Sequence, residues 1–175
     1  MRFIFIRQGV FNLVNACIRP AEKNDLNGIM QIYSAAREFM AKNGNPNQWG
    51  KVFPPKELIA DDIENGRLFV IEENGIIHGV FAFIIGVDPT YAVIESGSWL
   101  SDTEYGAIHR VASDGKIHGV LSAAVGFCLT KISHLRIDTH KYNKVMQRQI
   151  LKNGFTERGT IYTDDGSPRI AYERL

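Results

Sequence analysis

The residues best placed to do chemistry form one run, His109-Arg110-Val111-Ala112-Ser113-Asp114-Gly115-Lys116-Ile117-His118-Gly119. It reads as a strand that passes through a short glycine-containing turn directly into a helix. The first N–H groups of a helix lack partners and sit at the positive end of its dipole. Such a junction binds an anion without much net protein charge. Gly119 lets backbone approach a ligand closely, and Lys116 and His118 add charge and donors. The run is neither GxxxxGK[ST] nor GxGxxG, so the sequence supports neither a P-loop nor a dinucleotide fingerprint. An ordinary β-to-α turn is the competing reading.

A second run, Leu135-Arg136-Ile137-Asp138-Thr139-His140-Lys141-Tyr142-Asn143, repeats the pattern of strand, polar end and helix start. Two neighbouring parallel strands that both end this way would share one crevice. Asp138 and His140 lie two apart and would share a face of an extended strand. Their spacing admits metal ligation, but no third ligand is in sight and no metal is expected. A Ser113, Asp138 and His140 triad lacks the strained G-x-S-x-G elbow and is not expected either.

Several elements must carry these runs. Residues 17–21 read as a strand ended by Pro20. Asp25 stands as N-cap before a helix whose stripe is Leu26, Ile29, Met30, Tyr33, Arg37 and Met40. Residues 43–47 break that helix. Pro54-Pro55 opens a second one, and Gly66 stops it. Residues 68–72 and 76–85 read as strands joined at Glu73-Asn74-Gly75, because Asn-Gly supplies the positive φ of a tight turn. Tyr91 to Ile94 reads as an irregular piece. Residues 105–113 are the next strand, with Ala107, His109 and Val111 on one face and Ile108 and Arg110 on the other. A helix follows Gly115, then a strand at 135–139, a helix at 143–152 and two strands around Asp164-Asp165-Gly166. The fold class is α/β, a single domain with a mixed, mostly antiparallel sheet flanked by helices.

Composition narrows the function classes. The chain has 175 residues, 45% hydrophobic and 22% charged, with 20 Lys+Arg against 19 Asp+Glu. That is globular composition of roughly one domain's length. The near-neutral balance argues against a broad nucleic-acid surface. Cys17 and Cys128 make no disulfide framework and suit buried thiols of a reducing cytoplasm. No apolar run approaches the ~20 residues that span a bilayer, so no membrane partner is expected. Residues 1–16 read as a poorly specified leader, an extra edge strand or a start-site artefact, with the domain proper at 17–175. The expected location is cytoplasmic.

The order of elements, the strand-turn-helix at 109–122, and the ending Asn143-Lys144-Val145-Met146 … Leu151-Lys152-Asn153-Gly154-Phe155 resemble the GNAT superfamily of acyl-CoA-dependent acyltransferases. The resemblance runs from Cys17 to the C-terminus. The family's loop motif is Gln/Arg-x-x-Gly-x-Gly/Ala. Its counterpart here is Lys116-Ile117-His118-Gly119-Val120-Leu121, with Lys116 for Gln/Arg and Leu121 for the final small residue.

This resemblance implies acetyl-CoA as co-substrate and direct attack on the thioester by an amine of a small molecule or protein. It implies that the backbone of Val111, Ala112 and Ser113 pairs with the pantetheine arm. Lys116, Ile117, His118, Gly119, Val120, Leu121 and Ser122 would cradle the phosphates, and Asn143 would lie near the pantetheine, a role compatible with a helix N-cap. His109 falls where several members place a Glu base, and imidazole titrates near neutrality. Glu95 is the second candidate base. Many members carry an acid on a Tyr where this chain has Ile150, with Tyr142 and Tyr162 as substitutes. Phe39, Gln48, Trp49 and Trp99 are candidates to line the acceptor pocket, and Arg110 is expected to be structural or in a salt link. A homodimer is compatible with this reading. The alternative is a non-catalytic acyl-CoA-binding or sensor module on the same fold.

Overall fold

The computed structural model describes residues 4–5 and 16–175. Its strands are β1 (Ile4–Phe5), β2 (Ala16–Pro20), β3 (Leu68–Glu73), β4 (Ile76–Ile85), β5 (Gly106–Ser113), β6 (Leu135–Thr139), β7 (Thr156–Tyr162) and β8 (Pro168–Arg174). Its α-helices are α1 (Leu26–Lys42), α2 (Lys56–Glu64), α3 (Val120–Leu129) and α4 (Lys144–Lys152). The strand order is β1-β2-β3-β4-β5-β6-β8-β7, with β5 and β6 parallel. The mixed, mostly antiparallel α/β architecture expected from the sequence is the one observed.

Two compact units interleave along the chain. One comprises the described part of Met1–Ala82 with Arg110–Ala124; the other comprises Phe83–His109 with Val125–Leu175. In the first, β1 to β3 form an antiparallel meander with the first part of β4. Asn74 (φ 53°) and Gly75 (φ 79°) make the tight turn between β3 and β4, as Asn-Gly predicts. Ile29, Tyr33, Ile59, Leu68, Val70 and Val80 are fully buried in this unit's core. Gly79 lets α3 close on β4, since a Cβ there would stand 3.0 Å from a Val120 methyl. Ile4 and Phe5 pair with Ile18 and Cys17. The rest of residues 1–15, and with it the reading as a leader or start-site artefact, lies outside the described residues.

Three local features differ from what the sequence predicts. Asp25 precedes α1 but does not cap it with its side chain. Its carboxylate instead accepts from the Arg19 guanidinium at 2.6 and 3.0 Å and from the Glu22 amide at 2.7 Å. The Arg19 hydrogen bonds hold that carboxyl below its ordinary pKa. The helix after Gly115 starts at Val120, so Ile117 lies in the turn before it and Ile132 beyond its end. The alternation along β5 breaks at Arg110, whose φ of 52° is in the left-handed region. The two-residue period therefore does not extend His109's face to Val111. Tyr33 donates its hydroxyl to the Arg110 carbonyl at 3.0 Å, and buried Asp62 accepts from the guanidinium at 2.6 Å. Arg110 is structural, as expected.

In the second unit, β5 and β6 pair through Gly106↔Leu135, Ala107↔Arg136 and Ile108↔Ile137. β8 lies antiparallel between β6 and β7. Tyr91, Tyr105, Ala107, Ile161 and Ala171 form the core, with Ile94 and Trp99 packed against it. Cys128 is buried, and burial pushes its thiol pKa up; Cys17 is only half-buried, against the expectation of two buried thiols. Among the described residues no helix is long and apolar enough to cross a membrane.

Candidate active site

His109 stands near the middle of β5 in the second unit, half-buried between two carboxylates. Its Nε2 is 2.7 Å from Asp88 Oδ2, and its Nδ1 is 3.9 Å from Asp138 Oδ1. The Tyr91 ring stacks on the imidazole at 5.5 Å and 20°. The Tyr91 hydroxyl donates to Asp138 Oδ1 at 2.9 Å. Burial, followed by the Asp138 carboxylate, holds the Tyr91 hydroxyl well above its ordinary pKa. It therefore stays a hydrogen-bond donor.

Asp88 is set by its own segment. Its side chain accepts from the Thr90 amide at 2.9 Å and so caps the short turn Pro89–Tyr91. Burial alone would raise its carboxyl. The hydrogen bond and charge of the His109 imidazole, with the Thr90 amide, outweigh burial and bring it from 3.8 to about 2. A carboxyl depressed in the folded state contributes stability above its unfolded pKa, and that stability is lost as pH falls through the folded one. The melting temperature should thus fall between about pH 4 and pH 2 more steeply in the parent than in Asp88→Asn. Identical acid limbs would contradict the pairing.

The loop before α3 belongs to the first unit. The Ser113 hydroxyl accepts from the Gly115 amide at 3.0 Å, and Asp114 Oδ1 accepts from the Lys116 amide at 2.9 Å. His78 Nδ1 braces Asp114 Oδ2 at 2.8 Å. Lys116 reaches Asp114 with its ammonium at 3.7 Å and is otherwise exposed. Gly119 has φ 81°, a conformation that favours glycine. The first helical hydrogen bond runs from the Ala123 amide to the Gly119 carbonyl at 2.9 Å. The amides of Val120, Leu121 and Ser122 precede it and form the free helix N-terminus. Val120 and Leu121 bury their side chains; His118 is exposed and Ile117 half-buried. Within β5, Ala112 is buried, and Val111 and Ser113 are half-buried.

Other candidates have separate partners. Glu95 is exposed and accepts from the Tyr162 hydroxyl at 2.9 Å, so the second candidate base and one candidate acid touch each other. That hydrogen bond raises the Tyr162 pKa. The Glu95 backbone bridges Thr160 through two hydrogen bonds of 2.8 Å. At Gly97 a Cβ would stand 1.7 Å from the Arg158 carbonyl oxygen. Asn143 caps α4 by accepting from the Met146 amide at 3.1 Å. Ile150 is fully buried on α4, and Tyr142 is exposed. His140 is buried, with Nδ1 facing the Tyr142 amide at 3.4 Å. Burial, then the charges of Arg169 and Lys141, lowers its pKa.

Ser113 thus accepts from the Gly115 amide, Asp138 from the Tyr91 hydroxyl, and His140 faces the Tyr142 amide. Among the described residues, no group of three or more His, Cys, Asp or Glu is placed to hold a metal ion. Trp49 packs against the core of the first unit and Trp99 against that of the second. Gln48 accepts from Asn45 at 2.7 Å, and Phe39 is exposed. The sequence reading missed Asp88 and Tyr91 as partners of His109. Asp88-Pro89 reads locally as the end of a strand, and only the return of the 88–103 segment to β5 brings it to the imidazole.

No family sequence model and no curated protein sequence matches the chain. Solved structures do. The chain superposes on yncA of Salmonella typhimurium, solved with its cofactor acetyl-CoA, with a TM-score of 0.58 at 16% identity, over 91% of this chain and 92% of that one. A GNAT-family acetyltransferase from Listeria monocytogenes gives a TM-score of 0.69 at 16% identity, over 99% of each chain. At such identity the likeness shows the fold alone. An acetyltransferase of the GNAT family from Streptococcus agalactiae gives a TM-score of 0.81 at 32% identity, over 91% of this chain and 95% of that one. There the likeness is one of sequence as well as fold, over nearly the whole of both chains, and on that ground this chain belongs to the GNAT family of acetyltransferases.

Proposed function

We propose that the protein transfers an acetyl group from acetyl-CoA to an amine of a small molecule or protein, in the cytoplasm, with His109 taking the proton. The observation that carries this reading is the 2.7 Å contact of His109 Nε2 with Asp88 on the strand leading into the α3 loop. With Nε2–H donated to Asp88, Nδ1 presents its lone pair, because 3.9 Å to Asp138 is beyond hydrogen-bond reach. Asp138 favours both an approaching ammonium and the positive charge the imidazole acquires. When bound, acetyl-CoA supplies the acetyl thioester.

The residues of the first unit suit its phosphates: Gly119 in the left-handed region and the free amides of Val120, Leu121 and Ser122 make an anion seat. The backbone of Val111, Ala112 and Ser113 would pair with the pantetheine arm, and Asn143 would stand near it. Lys116 and His118, both exposed, would approach the phosphates from solvent.

A second reading has one observation in its favour. Ile150 is fully buried at the position where the resemblance implies an acidic Tyr, so the protein would bind acyl-CoA as a sensor without turnover. Thermal shift tests the donor common to both readings. Acetyl-CoA at 100 times its dissociation constant should add about 2.7 kcal/mol of stability, while ATP and NAD add much less. An equal response to all three, or none to acetyl-CoA, would contradict acetyl-CoA as ligand.

A further inference from the structure

The second unit buries a charged cluster that the reaction does not use. Glu173 is fully buried, and its carboxylate lies 2.7 Å from His134 Nε2 and 3.2 Å from Arg136 Nε. It also accepts from the Leu100 amide, and the Ser101 carbonyl accepts from Arg136 Nη2 at 2.7 Å. The Arg136 guanidinium lies between two aromatic rings, 4.0 Å from the Trp99 centroid and 3.9 Å from that of Tyr105.

Each of those rings holds one end of the segment that faces His109. Trp99 donates its Nε1–H to the Tyr91 carbonyl at 3.0 Å, and Tyr105 accepts the Asp88 amide on its hydroxyl at 3.0 Å. Asp88 and Tyr91 are the residues that bond to and stack on the imidazole. Stability alone gives no reason for an arginine here, since replacing a buried ion pair with apolar residues is often neutral or stabilising. A planar guanidinium with a fixed fork of donors does something an apolar residue cannot. It sets the distance and tilt of two rings while its edge holds a carboxylate and a carbonyl.

We propose that Arg136 positions the base: clamped by Glu173, it fixes Trp99 and Tyr105, which hold Tyr91 and Asp88 against His109. This rests on the reading of His109 as the base. Trp99, a candidate for the acceptor pocket by sequence, becomes a positioning residue.

The test uses Trp99→Phe, which removes the Nε1–H but keeps a ring, Tyr105→Phe, which removes the acceptor of the Asp88 amide, and Arg136→Lys, which keeps charge but loses the plane. Turnover of acetyl-CoA with an amine gives kcat and the acetyl-CoA KM. The ring-proton NMR resonances of His109, identified by their loss in His109→Gln, report whether Tyr91 still stacks on the imidazole. A displacement of up to about 1 Å at a catalytic group can cost 10²-fold, so kcat should fall about tenfold or more in each variant. The KM should stay within about twofold, because the effect lies in the chemical step. The His109 resonances should move in all three while the two Phe variants melt close to the parent.

Folded Phe variants with parental kcat and unmoved His109 resonances would overturn the proposal. If Arg136→Lys fails to fold, the two Phe variants decide. If the parent turns over no amine, the acetyl-transfer reading fails, and the His109 resonances alone decide the positioning role.

Discussion

Replacing His109 by Gln should lower turnover of acetyl-CoA with a good amine by about two orders of magnitude near neutral pH, since a general base contributes typically 10²–10⁴-fold. Glutamine keeps an amide donor able to reach Asp88, whose carboxylate now bonds to Nε2 at 2.7 Å, but it cannot accept a proton. The variant's melting curve and acetyl-CoA titration should match the parent, which separates a chemical defect from a folding one. A folded variant with full rate would remove His109 from the reaction. The base would then be sought at Glu95, which already carries a proton donor, Tyr162, on its carboxylate.

The second large effect is expected at the helix N-terminus. Gly119→Glu puts a negative charge beside the amides of Val120, Leu121 and Ser122, where the phosphates of acetyl-CoA are expected. Like charges brought together in an interface cost several kcal/mol, so affinity should fall by about a hundredfold or more. The φ of 81° at Gly119 complicates this, because any L side chain is strained there. Gly119→Ala is therefore the control for strain without charge. Gly119→Ala should bind acetyl-CoA clearly better than Gly119→Glu. Equal affinity of the parent and a folded Glu variant would remove the phosphate seat from this loop.

What the sequence made legible was local. Asn74-Gly75 requires positive φ at both positions, Asn143 meets the Met146 amide three residues on, and the alternation of Leu135 and Ile137 with Arg136 and Asp138 along β6 needs no distant partner to be read as a strand. Period and turn chemistry fix such features within a few residues. The environment of His109 was not local. Asp88 and Asp138 lie 21 and 29 residues away, on opposite sides of it in sequence, and no periodicity ties either of them to an imidazole. The left-handed Arg110 was illegible for a related reason. Arginine carries no preference for positive φ, and the conformation is held by Tyr33 and Asp62 from α1 and α2. Asp25 shows the limit of a correct rule: its position suits a cap, and a neighbouring Arg19 takes the carboxylate instead. Arg136 and Glu173 look like alternating strand charges in the sequence. Only their direct pairing across β6 and β8 makes them a buried clamp.

Acetyl transfer by this protein is read out by release of CoA from acetyl-CoA in the presence of a panel of primary amines, with the acetylated amine identified by mass. Turnover should be steady, require both substrates, yield an N-acetylated product matching the CoA released, and fall about a hundredfold in folded His109→Gln. Saturable acetyl-CoA binding without turnover of any amine, or turnover unchanged in folded His109→Gln, would contradict acetyl transfer with His109 as the base.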